Sequence, residues 1–66
     1  MMDENELKAL EKEVKKRKRI ATELASEVHD LVEDTLWTEY EQLPAKAEKV
    51  YQACLAWAEA KSRLPA

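Results

Sequence analysis

Leu7, Leu10, Val14, Arg17, Ala21, Leu24, Val28 and Leu31 follow a strict 3-4-3-4 step, the spacing that places side chains on one stripe of a helix. Only Arg17 interrupts the apolar run. The spacing predicts a first helix over about residues 4–34. Asp3, Glu4 and Glu6 sit at its start, where the helix dipole favours negative charge. The period fades at Thr35-Leu36-Trp37-Thr38, and residues 35–42 are expected to connect. Leu43-Pro44 announces a second helix over about residues 43–64, because proline is tolerated in a first helical turn. Its seam reads Leu43, Ala47, Val50, Cys54, Trp57, Lys61 and Leu64, and Pro65 ends it. At 1.5 Å per residue the two helices span roughly 45 and 30 Å.

Two helices on a short connection lie antiparallel. A turn centred near Glu39 pairs Val28 with Val50, Leu24 with Cys54, Ala21 with Trp57 and Leu31 with Ala47, alternating large and small residues as packing requires. The same register sets Arg17 against Lys61, so Glu13 and Glu59 must neutralise that pair or the stems must snorkel outward. Ile20, Ala25, Val32, Leu36, Tyr40, Tyr51 and Leu55 fall outside the seam. Helices apolar over more than one stripe bury the extra stripe against something. A second copy is the economical partner, so the expected fold class is all-α: an antiparallel two-helix hairpin, one domain over residues 1–66, associating into a homodimeric four-helix bundle.

Composition sharpens this picture. The chain has 66 residues, 38% of them charged, with no Gly, two Pro and one Cys. A chain this short buries too little surface to be comfortable alone, and a single cysteine provides no internal disulfide. Absence of glycine removes phosphate-cradling loops and dinucleotide fingerprints. No uncharged run approaches the ~20 apolar residues of a membrane span. The acidic start Met-Met-Asp-Glu-Asn-Glu is unlike a secretory or transit peptide, and a lone cysteine suits a reducing cytoplasm. The expected location is cytoplasmic.

Charge is unevenly placed. Residues 21–43 carry no Lys or Arg and seven acids: Glu23, Glu27, Asp30, Glu33, Asp34, Glu39 and Glu41. Residues 1–20 carry seven basic against five acidic side chains, and residues 44–66 four against two. The hairpin therefore has a tip of -7 and an open end near +4, which draws cations or a basic partner to the tip. The run Lys15-Lys16-Arg17-Lys18-Arg19 raises nucleic-acid binding as an alternative. Consecutive helical positions point around the circumference, however, and pairs such as Glu11–Lys15 and Glu13–Arg17 absorb part of the charge. Trp37, Tyr40 and Leu43 recur at spacing three. They read either as a plug over the end of the core or as a recognition patch in which Trp37 and Tyr40, beside Glu33 and Asp34, hold a partner.

Candidate chemistry is sparse. His29, the single histidine, stands four residues before Glu33 and next to Asp30, so imidazole and carboxylates can share one helix face. His29, Asp30 and Glu33 make an incomplete set for a divalent ion such as zinc, which takes three or four protein ligands. A two-fold axis would double the set. Cys54 falls on the expected seam, where a thiol behaves as a small hydrophobe, and nothing assembles a nucleophile with a base. The chain is read as a non-enzyme.

Val28-His29-Asp30-Leu31-Val32-Glu33-Asp34, then Trp37, then Lys46-Ala47-Glu48-Lys49-Val50-Tyr51-Gln52-Ala53, resembles the Rop-like small proteins encoded in nitrogen-fixation gene clusters. Similarity covers roughly residues 20–60. The resemblance implies a dimerising helical hairpin, accessory to nitrogenase or its assembly machinery, and a motif histidine, here His29, that coordinates a divalent cation such as nickel between chains. One departure is plain: the family pattern carries Leu-Pro directly after the acidic pair, whereas Thr35-Leu36-Trp37 follows here and proline arrives at Pro44. A longer, differently built turn is expected.

Overall fold

A computed structural model describes residues 3–65 and shows an all-helical chain. Helix α1 spans Glu4–Asp30. Asp3 caps it: Oδ1 accepts from the Glu6 amide at 2.7 Å and the Asp3 carbonyl accepts from the Leu7 amide at 3.0 Å, satisfying donors that a helix start leaves orphaned. The α-type ladder stops at Asp30 rather than at residue 34, because Leu31–Thr35 form one π-helical turn. The Thr35 hydroxyl donates back to the Leu31 carbonyl across that turn at 3.5 Å. Helix α2 (Leu36–Glu39) and a 3₁₀ turn (Tyr40–Gln42) follow, then helix α3 (Leu43–Ser62), with Pro44 in its first turn.

A straight helix over Glu4–Ser62 would run about 88 Å, yet the longest dimension is 51 Å, with 15 and 14 Å across. The chain turns back on itself, and α3 lies antiparallel along α1: Val28 shares a groove with Ala47, and Glu13 shares one with Arg63. Reversal happens at two residues that leave helical geometry, Thr35 (φ -131°, ψ 20°) and Glu39 (φ -128°, ψ 16°). Both keep φ negative, and no described residue has a positive φ. That is how a chain without glycine turns a corner. The segment expected as a connecting turn is therefore itself helical, folded as two corners around α2.

The seam of α1 is the expected one: Leu7, Leu10, Val14, Ala21, Leu24 and Val28 are partly covered and Leu31 is buried at 5% exposure. The seam of α3 is rotated. The covered positions are Leu43, Lys46, Val50, Ala53, Ala56, Trp57, Ala60 and Leu64, with Ala60 only 6% exposed, while Ala47, Cys54 and Lys61 are exposed. The pairing shifts accordingly. Val28 shares a groove with Ala47 as well as Val50, and Ala21 shares one with Cys54 as well as Trp57. Small residues explain the rotation at Ala53 and Ala60, which let the backbones approach more closely than Cys54 and Lys61 do, while near the tip Lys46 is half-covered in a cleft with Glu27, Asp30, Asp34 and Glu39. Lys61 instead stacks its ammonium over the Trp57 ring at 4.9 Å, a cation–π pair.

The expected Arg17–Lys61 clash thus does not arise. Arg17 shares a groove with Ala56, Glu59, Ala60 and Arg63. Each arginine is held by an acid of its own helix, Arg17 Nε to Glu13 at 2.7 Å and Arg63 Nη2 to Glu59 at 2.6 Å. Because Ala60 fixes the spacing there, Ala60→Leu is expected to cost about 1–3 kcal/mol by overpacking, read as a lower denaturation midpoint. Ala58→Leu, on the exposed side, should leave the midpoint nearly unchanged.

Candidate functional site

Two faces of the hairpin differ in kind. On one side, Ala21, Thr22, Ala25 and Val28 of α1 and Ala47, Val50, Cys54 and Trp57 of α3 form an open, almost wholly apolar trough, with Lys18 at its end. Tyr51 and Leu55, next to Val50 and Cys54 on α3, are exposed as well, as is Val32 near the tip. Cys54, expected to be buried, is exposed in this trough. On the opposite side the lining is charged: Glu13, Arg17, Glu59 and Arg63 near the open end, and Glu27, Asp30, Asp34, Glu39 and Lys46 near the tip. The heptad pattern places one stripe on the partner helix and leaves a second apolar stripe on one flank only.

The hairpin alone exposes 5420 Å², against roughly 4300 Å² for a compact monomer of this mass. A rod carries more surface than a sphere, so the excess alone decides nothing; the side on which the apolar groups gather does. Just two apolar side chains, Leu31 and Ala60, are buried among the described residues. That is a small core for helices of this length.

At the tip, the sequence-predicted residues separate into two groups. His29 Nε2 lies 3.3 Å from Glu33 Oε1, and Nδ1 lies 3.8 Å from Asp30, all three exposed. The i, i+4 spacing delivers the His29–Glu33 pair directly. No group of three or more His, Cys, Asp or Glu side chains with metal-holding geometry occurs among the described residues. One chain therefore offers an imidazole and a carboxylate, short of the set zinc or nickel takes. Asp34 turns away from His29 into the charged cleft with Glu27, Glu39 and Lys46.

Trp37 is 87% exposed and Tyr40 55%. They do not plug the core; half-covered Leu36 and Leu43 stand there instead. Trp37 lies between the corners at Thr35 and Glu39 and Tyr40 directly after the second, an arrangement that sequence spacing could not orient. A second feature escapes the linear reading. Lys12, Lys15, Lys16 and Arg19 line one shallow depression on the outer face of α1, so part of the basic run does form a patch. Arg19 reaches Glu23 at 3.8 Å, whereas Lys12, Lys15 and Lys16 have no ion-pair partner among the described residues.

No helix among the described residues is long and apolar enough to cross a membrane. The profile of the Rop-like family matches residues 5–66, and the chain belongs to that family. No curated protein and no solved structure matches it.

Proposed function

We propose that this Rop-like chain is a non-catalytic accessory protein that works as a self-associated helical bundle, two hairpins closing on their apolar sides, and serves by holding a partner protein. The observation that carries the reading is the one-sided trough around Ala25, Val28, Val50 and Cys54. Covering it supplies the apolar burial that a core of Leu31 and Ala60 lacks. A standard interface removes about 800 Å² per partner from water, and a face of a rod 51 Å long is large enough to provide it. The Val28-to-Asp34 and Lys46-to-Ala53 motifs support a nitrogen-fixation setting, with nitrogenase or its assembly machinery as the partner. The test is sedimentation of the pure protein from about 1 to 100 µM, a range that brackets Kd values for micromolar association, followed by pull-down from nitrogen-fixing cells. A folded monomer throughout would sink the bundle.

Charge sets the orientation. Antiparallel hairpins lay each acid-rich segment 21–43 beside the partner's basic open end, whereas parallel ones stack tip on tip. The trough is centred near Ala25 and Val50. His29 lies beyond that centre on the tip side, so an antiparallel two-fold axis keeps the two imidazoles apart. A metal shared between His29 side chains, with Asp30 or Glu33, belongs to the parallel arrangement. The expected result is an unchanged dimer mass for His29→Ala and after chelation. Loss of dimer in either case would establish the metal-bridged form. The Lys12, Lys15, Lys16 and Arg19 patch favours nucleic-acid binding as the second reading, recognisable by a steep fall of affinity with salt.

A further inference from the structure

We infer that the corner segment Leu36–Gln42 is a docking surface for a basic, amphipathic segment of another protein, with Trp37 as its anchor. The inference rests on the self-associated bundle, because closing the apolar troughs leaves both tips free at the ends of the rod. Trp37 at 87% exposure and Tyr40 at 55% stand three residues apart in the chain, one on either side of the corner at Glu39. Neither covers the core. Tryptophan is among the residue types that most often supply binding energy at an interface centre.

The surroundings select the partner. Glu33 and Asp34 precede the segment, Glu39 and Glu41 lie within it, and no Lys or Arg occurs from residue 21 to residue 43, while Lys46 offsets part of this charge in the cleft it shares with Asp34 and Glu39. A negative field around an exposed indole repels phosphate backbones and anionic lipid headgroups and attracts Lys and Arg. The indole face itself is the best aromatic partner for such a cation, and the aliphatic stem of the cation packs on the ring. The molecule makes this pairing once already, between Lys61 and Trp57. Apolar residues on the partner are required as well, since Trp37 and Tyr40 offer more ring surface than cations cover. The competing occupant is the basic face of a further copy, Lys12, Lys15, Lys16 and Arg19.

The probe is a labelled helical peptide of Leu and Lys with leucines at helical spacing, followed by fluorescence anisotropy at physiological ionic strength. A Ser/Lys peptide of equal length and charge is the control. Wild-type protein is expected to bind the Leu/Lys peptide and to bind the control at least about tenfold more weakly. Trp37→Ala should lose about tenfold or more with unchanged melting, because the side chain is outside the core. The Glu33→Gln/Asp34→Asn variant should weaken binding and flatten its salt dependence. Sedimentation of the same samples separates the two ideas: a monomeric wild type that still binds overturns the bundle and leaves the docking surface standing. Equal binding by Trp37→Ala, or equal binding of the Ser/Lys control, overturns the docking surface. So does Trp37-dependent assembly beyond the dimer without peptide, which would make a further copy the occupant.

Discussion

Ala25→Asp is expected to convert the proposed dimer to monomer, weakening association by roughly 10²–10⁴-fold, the equivalent of about 3–5 kcal/mol for an uncompensated buried charge. Ala25 is exposed in the single hairpin yet lies in the apolar trough with Val28, Val50 and Cys54. The new carboxylate is therefore hydrated in the monomer and stranded in the dimer. Near a two-fold axis it also meets its own copy, adding like-charge repulsion. Aspartate is too short to snorkel clear. Sedimentation equilibrium measures the effect, and Ser26→Asp is the matched control. Ser26 is one residue away, exposed, and outside the trough, so its dimer constant should stay within about twofold. An unchanged constant for Ala25→Asp would place the association on another face.

Leu31→Ala is expected to lower stability by about 2–4 kcal/mol, the cost of removing a buried leucine side chain and leaving its cavity. In a chain of this size each kcal/mol moves the melting temperature by about 4–8 °C, so the variant should melt some tens of degrees lower or fail to fold. Leu31 is the one large side chain buried among the described residues. It sits where α1 passes into the π turn, with the corner at Thr35 one turn away. Its loss should loosen both the packing and the reversal. Thermal circular dichroism at fixed protein concentration provides the measurement, since dimer melting depends on concentration. Val32→Ala, next in the chain but exposed, should shift the midpoint by only a few degrees. Comparable losses for the two variants would remove Leu31 from its central place.

The π turn also bears on how the tip is built. The chain has no glycine, uses no left-handed residue among those described, and reverses through Thr35 and Glu39. Those corners turn Leu36 and Leu43 toward the core and leave Trp37 and Tyr40 in water. Spacing of three between Trp37, Tyr40 and Leu43 was visible in the linear chain, but it is silent about which side of a corner faces the solvent. The aromatic pair could thus be named from sequence, while its availability could not.

The seam of α1 was legible because a heptad spacing is a local property: Leu7, Leu10, Val14, Ala21, Leu24, Val28 and Leu31 share a stripe whatever the helix packs against. The Asp3 cap, the His29–Glu33 pair and the -7 tip are local in the same sense, set by residues within a turn or by charge order along the chain. The seam of α3 was ambiguous. Leu43, Val50, Trp57 and Leu64 belong to either choice, and the residues between them come as alternatives one position apart: Lys46 or Ala47, Ala53 or Cys54, Ala60 or Lys61. In an alanine-rich helix both sets are acceptable by hydropathy. The distance between the two backbones discriminates at two of these choices, selecting the small side chains Ala53 and Ala60 and turning Cys54 and Lys61 outward; at the first, near the tip, Lys46 rather than the smaller Ala47 is half-covered. Periodicity along the chain thus determined that there are two rods and which stripe of the first is covered. Close packing between the rods decided how the second is rotated, and with it which apolar side remains open.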